Sequence, residues 1–302
     1  MKVAVTGASG FIGRHVVAGL EARGRTVVAV RRPFDAPVMA LALSGVGVVV
    51  HLAGLVSAPR EQDYFTANVE GTRAVAAATQ AAGARLVHIS SLAAGGPAPA
   101  SAPRSESDGD RPITAYGRSK LASERVLREM RDLRWLTLRP GVVYGPGDRA
   151  LLPLFAMAMR GYLPLVGRAD ASYQMIHVAD VVRAVAAAVD SDAAGEAIYV
   201  GHPQPVGIRD LLEGVRDAVG TGARIVRVPM PITRVAALAG DIAGAIRGRR
   251  MVINSRRYVE LAAEGFACRV DRLRERLGIV AEVALKDGLS ETARWYREER
   301  WI

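Results

Sequence analysis

Cysteine is almost missing from this 302-residue chain: Cys268 stands alone. A single cysteine excludes an intrachain disulfide and the usual thiolate metal centre. It sits in Glu264-Gly265-Phe266-Ala267-Cys268-Arg269, among apolar neighbours, and reads as a packed thiol rather than a nucleophile. No metal site is expected. Lysine is nearly absent as well, with only Lys2, Lys120 and Lys286, although the net charge is +10. The positive charge is therefore arginine, scattered and interleaved with acids as in Arg272-Leu273-Arg274-Glu275-Arg276, the pattern of a solvated surface. The densest cluster, Arg247, Arg249, Arg250, Arg256 and Arg257, has no interleaved aromatics, so nucleic acid is not an expected partner. Apolar stretches are broken by Gly, Arg or Pro before membrane-spanning length. Met1-Lys2-Val3-Ala4-Val5-Thr6 reads as a strand, without the pattern of a signal peptide. A cytoplasmic protein without a membrane span is expected. Half of the residues are hydrophobic, enough for a sizeable globular core.

What is present is an alternation. Short apolar strands at 2–6, 26–30, 46–52, 85–90 and 135–139 are separated by helical patterns at 13–22, 64–83 and 115–130. Strands that are apolar throughout and alternate with helices imply a parallel, doubly wound sheet covered on both faces. Residues 95–112, rich in Pro, Ala, Ser and Asp, read as a loop able to cover a substrate. Beyond Tyr144-Gly145-Pro146-Gly147 the regularity changes: helices are expected at 151–161 and 176–190, a returning strand at 197–200, and further helices over 204–302.

The first strand runs into Thr6-Gly7-Ala8-Ser9-Gly10-Phe11-Ile12-Gly13. In such a turn Gly7 permits the tight bend, Gly10 lets backbone approach a pyrophosphate, and Gly13 lets helix and strand pack closely. The helix N-terminus that follows offers free N–H groups to phosphate. With Ser9 in the same turn, a dinucleotide is the expected ligand. Its identity turns on the end of the second strand. An NAD site usually has an acid there for the ribose 2′-hydroxyl. This chain has Val30-Arg31-Arg32-Pro33, and two guanidinium groups suit a 2′-phosphate. NADP is the expected cofactor, with NAD use left open.

A second motif, Tyr116-x-x-x-Lys120, lies downstream of Ser90 and Ser91. The spacing places phenol and ammonium on one helix face. An ammonium there favours phenolate and is expected to lower a tyrosine pKa that is near 10 when free. Ser91, or its neighbour Ser90, can hydrogen-bond a substrate oxygen while Tyr116 moves the proton and Lys120 also touches a ribose.

These residues resemble the extended short-chain dehydrogenase/reductase family, the NAD(P)-dependent epimerase/dehydratase-like group. The likeness extends through His51-Leu52-Ala53-Gly54, Asn68-Val69-Glu70-Gly71-Thr72, Ile89-Ser90-Ser91, Leu138-Arg139-Pro140, Val143-Tyr144-Gly145-Pro146-Gly147-Asp148 and Ile176-His177-Val178-Ala179-Asp180-Val181. The resemblance implies a Rossmann-type domain over 1–150 and about 176–202, and a smaller, discontinuous substrate domain over 151–175 and 203–302. It implies catalytic roles for Ser91, Tyr116 and Lys120. It implies cofactor contacts for Gly7, Gly10, Phe11, Ile12, Leu52, Ala53, Gly54, Asn68, Pro140 and Val143; Ser9, Arg31, Arg32, Ser90, Tyr116 and Lys120 join them by their own chemistry. It also implies a homodimer formed through the helices that begin near Asn68 and Tyr116. His51 and His177 read as structural.

Three departures bear on cofactor and substrate. The segment between Arg32 and Val46 has room for one short helix, so the sheet is expected to be one strand short after the second strand, without the family's usual adenine contact there. Val142 and Tyr173 stand where nucleotide-sugar enzymes of the group usually carry an Asn and an Arg for the diphosphate. A neutral, rather apolar secondary alcohol or ketone is therefore the expected substrate of an NAD(P)-dependent oxidoreductase, nearest the hydroxysteroid dehydrogenase and ketone reductase branch. Leu151, Leu152, Pro153, Leu154, Phe155 and Met157 are candidate pocket residues or ordinary core. A nucleotide-sugar epimerase or dehydratase, and a cofactor-binding module without turnover, remain the alternatives.

Overall fold

Valine-rich segments pair as their alternation requires. The computed structural model describes residues 1–247 and 255–302, with backbone alone for 241–247, 256 and 257. The first half forms β1 (Lys2–Thr6), α1 (Phe11–Glu21), β2 (Thr26–Val30), α2 (Ala36–Ala42), β3 (Val48–His51), α3 (Glu61–Phe65), α4 (Gly71–Ala81), β4 (Arg85–Ile89), α5 (Ala115–Glu129), β5 (Trp135–Pro140) and β6 (Val142–Tyr144). The second half adds α6 (Leu152–Met159), β7 (Tyr162–Val166), β8 (Ser172–Tyr173), β9 (Met175–His177), α7 (Val178–Asp190), β10 (Glu196–Val200), β11 (Val206–Gly207), α8 (Ile208–Val219), β12 (Arg224–Val228), α9 (Met230–Arg247), α10 (Ser255–Ala262), β13 (Gly265–Phe266), α11 (Asp271–Leu277) and α12 (Leu285–Glu298). Of the arginine cluster, Arg249 and Arg250 lie outside the described residues, and Arg247, Arg256 and Arg257 are described in backbone alone.

Six parallel strands form the main sheet in the order β10-β5-β4-β3-β1-β2. Side chains alternate between its faces. Val3, Val5, Val48, Val50, Val87 and Ile89 join a core with Val16 and Leu20 of α1 and Val181 and Val185 of α7. Ala4, Val49 and Leu86 join the opposite core with Met39 of α2, Val75 of α4 and Leu127 of α5. The chain leaves β1 toward one edge and returns through β3 on the other side. That reversal opens a crevice at the carboxyl ends of β1 and β3, where a doubly wound sheet holds its ligand.

The sheet ends at β2, as the short 33–45 segment implies. Asp35 caps α2 by accepting from the Val38 amide at 3.1 Å, and this single short helix leads straight into β3. The strand expected at 197–200 is present as β10, parallel to β5 at the far edge. Two expectations shift. Ile176 and His177 belong to β9, and α7 starts only at Val178. The helix expected over 64–83 is interrupted: a π turn at Thr66–Glu70 separates α3 from α4.

A second apolar core lies in the C-terminal half. Leu151, Phe155, Leu163, Leu165, Leu211, Leu212, Leu289 and Tyr296 are buried together, with Leu152, Leu154 and Met157 packed against them. The 151–157 stretch is thus largely core. Within it Leu151 and Phe155 are buried, and Leu152, Leu154 and Met157 pack against them half-buried. Among the described residues, no helix is long and apolar enough to cross a membrane.

Candidate active site

Two turns meet at the switch point. Gly7 has φ +72°, and a side chain there would bring its Cβ within 2.7 Å of the Ala53 amide nitrogen in the turn after β3. Only glycine admits that conformation and that approach together. Gly13 packs its Cα against the Gly7 carbonyl with no room for a methyl group. The Gly10 amide donates to the Gly7 oxygen at 3.0 Å, and Gly10 begins α1 without a side-chain cap. Ser9 and Gly10 are exposed, and Phe11 and Ile12 are half-buried behind them. A cradle with no Cβ atoms, opened onto a helix N-terminus, fits a pyrophosphate. Leu52 and Ala53 line the opposite turn half-buried, followed by exposed Gly54.

Asn68 explains the π turn. Its side chain is buried, accepting from the Leu55 amide at 2.7 Å and donating to the Leu55 carbonyl at 3.1 Å and to Ser119 Oγ at 2.9 Å. The extra residue in the turn aims this amide away from the regular helix face; π turns recur at functional sites for this reason. The loop after β3 is thereby tied to α5. Gly54 completes the arrangement: a methyl group on it would lie 2.9 Å from Asn68 Oδ1 and 3.3 Å from Lys120 Nζ.

α5 starts at Thr114, whose hydroxyl accepts from the Gly117 amide at 3.1 Å, and presents Tyr116 and Lys120 one turn apart on the side facing β4. The Tyr116 phenol lies close enough to Ser91 for that hydroxyl to favour its ionised form. Its ring lies 6.2 Å from that of Tyr64 and packs with Ala58 and Ala115. Burial pushes the phenol up to about 12, against the lowering by Ser91, with Glu260 of α10 raising it further. The expected depression of this phenol by Lys120 is not what the structure shows. The ammonium instead donates to the Ile89 carbonyl at 2.9 Å, and burial draws Lys120 itself down to about 8 against the opposing effect of Glu124.

Ser90 departs from its expected place. Its hydroxyl donates to Glu124 Oε1 at 2.6 Å and is buried behind the strand, so Ser91 alone of the pair meets Tyr116. Glu124 also holds Arg139, with Nε at 2.9 Å and Nη2 at 2.6 Å, and Arg139 in turn grips Asp110 through two bonds of 2.7 and 2.9 Å. This buried network anchors the 95–112 segment, whose backbone also pairs with Gly265 and Ala267 through Ala98 and Arg104. That segment is a strap fastened along β13 rather than a loose cover. The motif spacing alone gave no signal of the network; the informative feature is the buried Glu124 on the same helix face as Lys120.

Arg31 and Arg32 are exposed at the end of β2. The Arg32 guanidinium lies 5.4 Å over the Phe34 ring and donates to the Ala67 carbonyl at 3.3 Å. With Pro33, Phe34, Gly71 and Ala74 it borders an open cavity of about 550 Å³. At the other end of the crevice, Pro140 is buried at the end of β5 and Val143 is half-buried against the main core. Val142 is exposed, and Tyr173 packs against the second core.

The histidines serve the frame. His51 meets Thr6 Oγ1 through Nδ1 at 2.7 Å and Thr72 Oγ1 through Nε2 at 3.1 Å, and burial draws it down to about 3. His177 accepts from the Ala179 amide at the start of α7. Cys268 is buried beside Leu92 and Tyr199, and burial pushes its thiol up.

Comparisons with known proteins agree with this fold. The profile of the NAD dependent epimerase/dehydratase family matches residues 3–201. The chain is 30% identical over 322 aligned positions to the ceramide reductase of Caulobacter vibrioides, covering 99% of this chain and 96% of that one. It is 28% identical to the 4-hydroxy-2-methyl-3-oxo-4-farnesyl-3,4-dihydroquinoline-1-oxide ketoreductase of Stigmatella aurantiaca, covering 96% and 95%. Among solved structures, MoeE5 in complex with UDP-glucose and NAD superposes with a TM-score of 0.81 at 27% identity, covering 99% of this chain and 100% of that one.

Proposed function

The chain belongs to the NAD dependent epimerase/dehydratase family of enzymes, and we propose that it is an NADP-dependent oxidoreductase acting between a neutral, apolar ketone and its secondary alcohol. The observation that carries this reading is the closeness of the Tyr116 phenol to Ser91, one helical turn from Lys120, whose ammonium lies by Gly54 in the turn that abuts Gly7. The nicotinamide, when bound, supplies or accepts the hydride. Ser91 holds the substrate oxygen. Tyr116 gives that oxygen a proton in the reducing direction and takes one back in the other. Lys120, whose ammonium lies by Gly54, holds the ribose. Gly7, Ser9, Gly10, Phe11 and Ile12 receive the pyrophosphate end. Leu52, Ala53, Gly54, Asn68, Pro140 and Val143 line the rest of the crevice. Ser90 supports from behind through Glu124.

The substrate class rests on what lines the open side of the site. Leu55 and Val56, directly after the 52–54 turn, and Val142, two residues after Pro140, are exposed apolar residues, and neither Val142 nor Tyr173 offers a charge for a diphosphate. The relatives named as reductases of ceramide and of a farnesylated quinoline oxide point the same way. The two apolar cores support reading 1–150 with about 176–202 as the dinucleotide-binding domain and 151–175 with most of 203–302 as the substrate domain, while Leu273 and Ala281 join the core of the dinucleotide-binding sheet. In this reading the enzyme works in the cytoplasm as a homodimer paired through α4 and α5.

Cofactor choice is tested by binding. NADPH is expected to bind at least about tenfold more tightly than NADH, because Arg31 and Arg32 can clamp a 2′-phosphate with charge-assisted bonds. Replacing both by Asp should reverse the preference in a fluorescence titration. Equal affinities that the double substitution leaves unchanged would reject the phosphate clamp.

A further inference from the structure

The C-terminal half turns an apolar helix face outward. In α9, Thr233 and Ala237 are buried one turn apart, while Ile232, Val235 and Leu238 are 58, 67 and 53% exposed on the opposite arc. Pro231, Ala236 and Ala239 share that arc and are exposed too. Immediately upstream, β12 leaves Val226 52% exposed between exposed Arg224 and Arg227. Arg234 stands at the rim of the apolar arc. From Thr221 to Gly240 the sequence holds these three arginines and no acidic residue.

Scattered exposed apolar side chains need no explanation, but a continuous stripe does. An apolar helix face rimmed by arginine is the arrangement of an element that lies in the plane of a membrane surface. Guanidinium groups pair with phosphate in two-pronged fashion, and anionic headgroups complement the one sign of charge found in this stretch. A second copy of this chain fits less well, since a two-fold contact through this face would set arginine against arginine. The position is informative as well. α9 packs on α10, and α10 carries the Glu260 that acts on the Tyr116 phenol. The end of β7 is tied to α10 through the Arg168 amide and the Leu261 carbonyl at 3.2 Å. The outward face therefore lies one helix away from an acid whose charge reaches the reacting phenol.

We propose that β12 and the first half of α9 form a seat for an anionic lipid bilayer surface, from which an apolar substrate enters beside α10. Entry of substrate by this route rests on the proposed substrate class; the seat itself does not. The test uses the purified full chain and sedimentation with vesicles of phosphatidylcholine, alone or mixed equally with phosphatidylglycerol. The wild type should sediment with the anionic vesicles at low salt and be released by high salt. Replacing Ile232, Val235 and Leu238 together by Ser should lower partitioning at least about tenfold, while NADPH-dependent reduction of a water-soluble ketone stays within about twofold. Replacing Arg224, Arg227 and Arg234 by Gln should remove the preference for anionic vesicles. A wild type that stays in the supernatant, or a serine variant that sediments as the wild type does, overturns the seat. Loss of self-association in the serine variant, with no vesicle binding by the wild type, assigns the face to a second copy and also overturns it. Vesicle binding without reduction of any ketone leaves the seat standing and removes the proposed reaction instead.

Discussion

Replacing Tyr116 by Phe is expected to lower kcat for ketone reduction by about a thousandfold while NADPH affinity stays within about twofold. The substitution removes one oxygen. The ring that packs with Tyr64, Ala58 and Ala115 remains, so the local fold persists. What disappears is the phenol that lies near Ser91 and can give a proton to the oxygen Ser91 would hold. Because burial keeps the phenol up at about 12, it is protonated throughout the ordinary range and ready to act as an acid in reduction. The pH limit falls to its neighbour. Lys120 is drawn down to about 8, so its ammonium is present below that value and lost as pH rises through it. For reduction, kcat/KM is therefore expected to be level near neutrality and to decline above about pH 8. A phenylalanine variant with wild-type kcat would remove Tyr116 from proton transfer. A profile flat to about pH 10 would show that turnover does not need the Lys120 charge.

The second large effect is on stability. Arg139→Met is expected to cost about 3–5 kcal/mol, measured by urea unfolding with an unchanged slope. Burial works against the charge on Arg139, but the hydrogen bonds and charge of Glu124, then Asp110, hold the guanidinium above its ordinary value. The side chains of Arg139 and Glu124 are 3 and 1% exposed. Removing the arginine leaves Glu124 in the interior with Ser90 and a 3.4 Å contact to Arg128. It also frees Asp110, which ties the 95–112 strap to β5. Breaking one side of a buried pair costs far more than the pair contributes, because the remaining charge is stranded. A loss below about 1 kcal/mol would show that water reaches Glu124 and that the strap is held by its backbone bonds to β13.

Much of the frame is legible in the sequence because it depends on pattern. Continuous apolar runs, Val3-Ala4-Val5 in β1 and Val48-Val49-Val50 in β3, announce a sheet buried on both faces, and a short segment after Arg32 announces a missing strand. Gly7 and Gly13 are readable because no other residue fits where they stand. The features that escape depend on single side chains meeting across the fold. Nothing local marks 66–70 as a π turn; it forms because the Asn68 amide is held by Leu55 and Ser119. Ser90 and Ser91 look equivalent in sequence, yet successive residues at the end of a strand face opposite ways, which sends one to Glu124 and the other to Tyr116. Helical spacing points Lys120 at the phenol, and tertiary contact with Ile89 turns its ammonium elsewhere. Glu260 is far from Tyr116 in sequence, and only the fold brings its charge near enough to act on the phenol. The apolar 151–157 stretch suits a pocket or a core equally well, and α8 and α12 decide it.

The most direct measurement follows reduced nicotinamide by its absorbance while substrate is converted by the wild-type protein. With a long-chain apolar ketone, NADPH is expected to be consumed mole for mole with alcohol formed. With UDP-glucose, neither absorbance nor substrate should change. Conversion of UDP-glucose with no net change in nucleotide, alongside inertness toward apolar ketones, would contradict the account and assign the site to epimerisation.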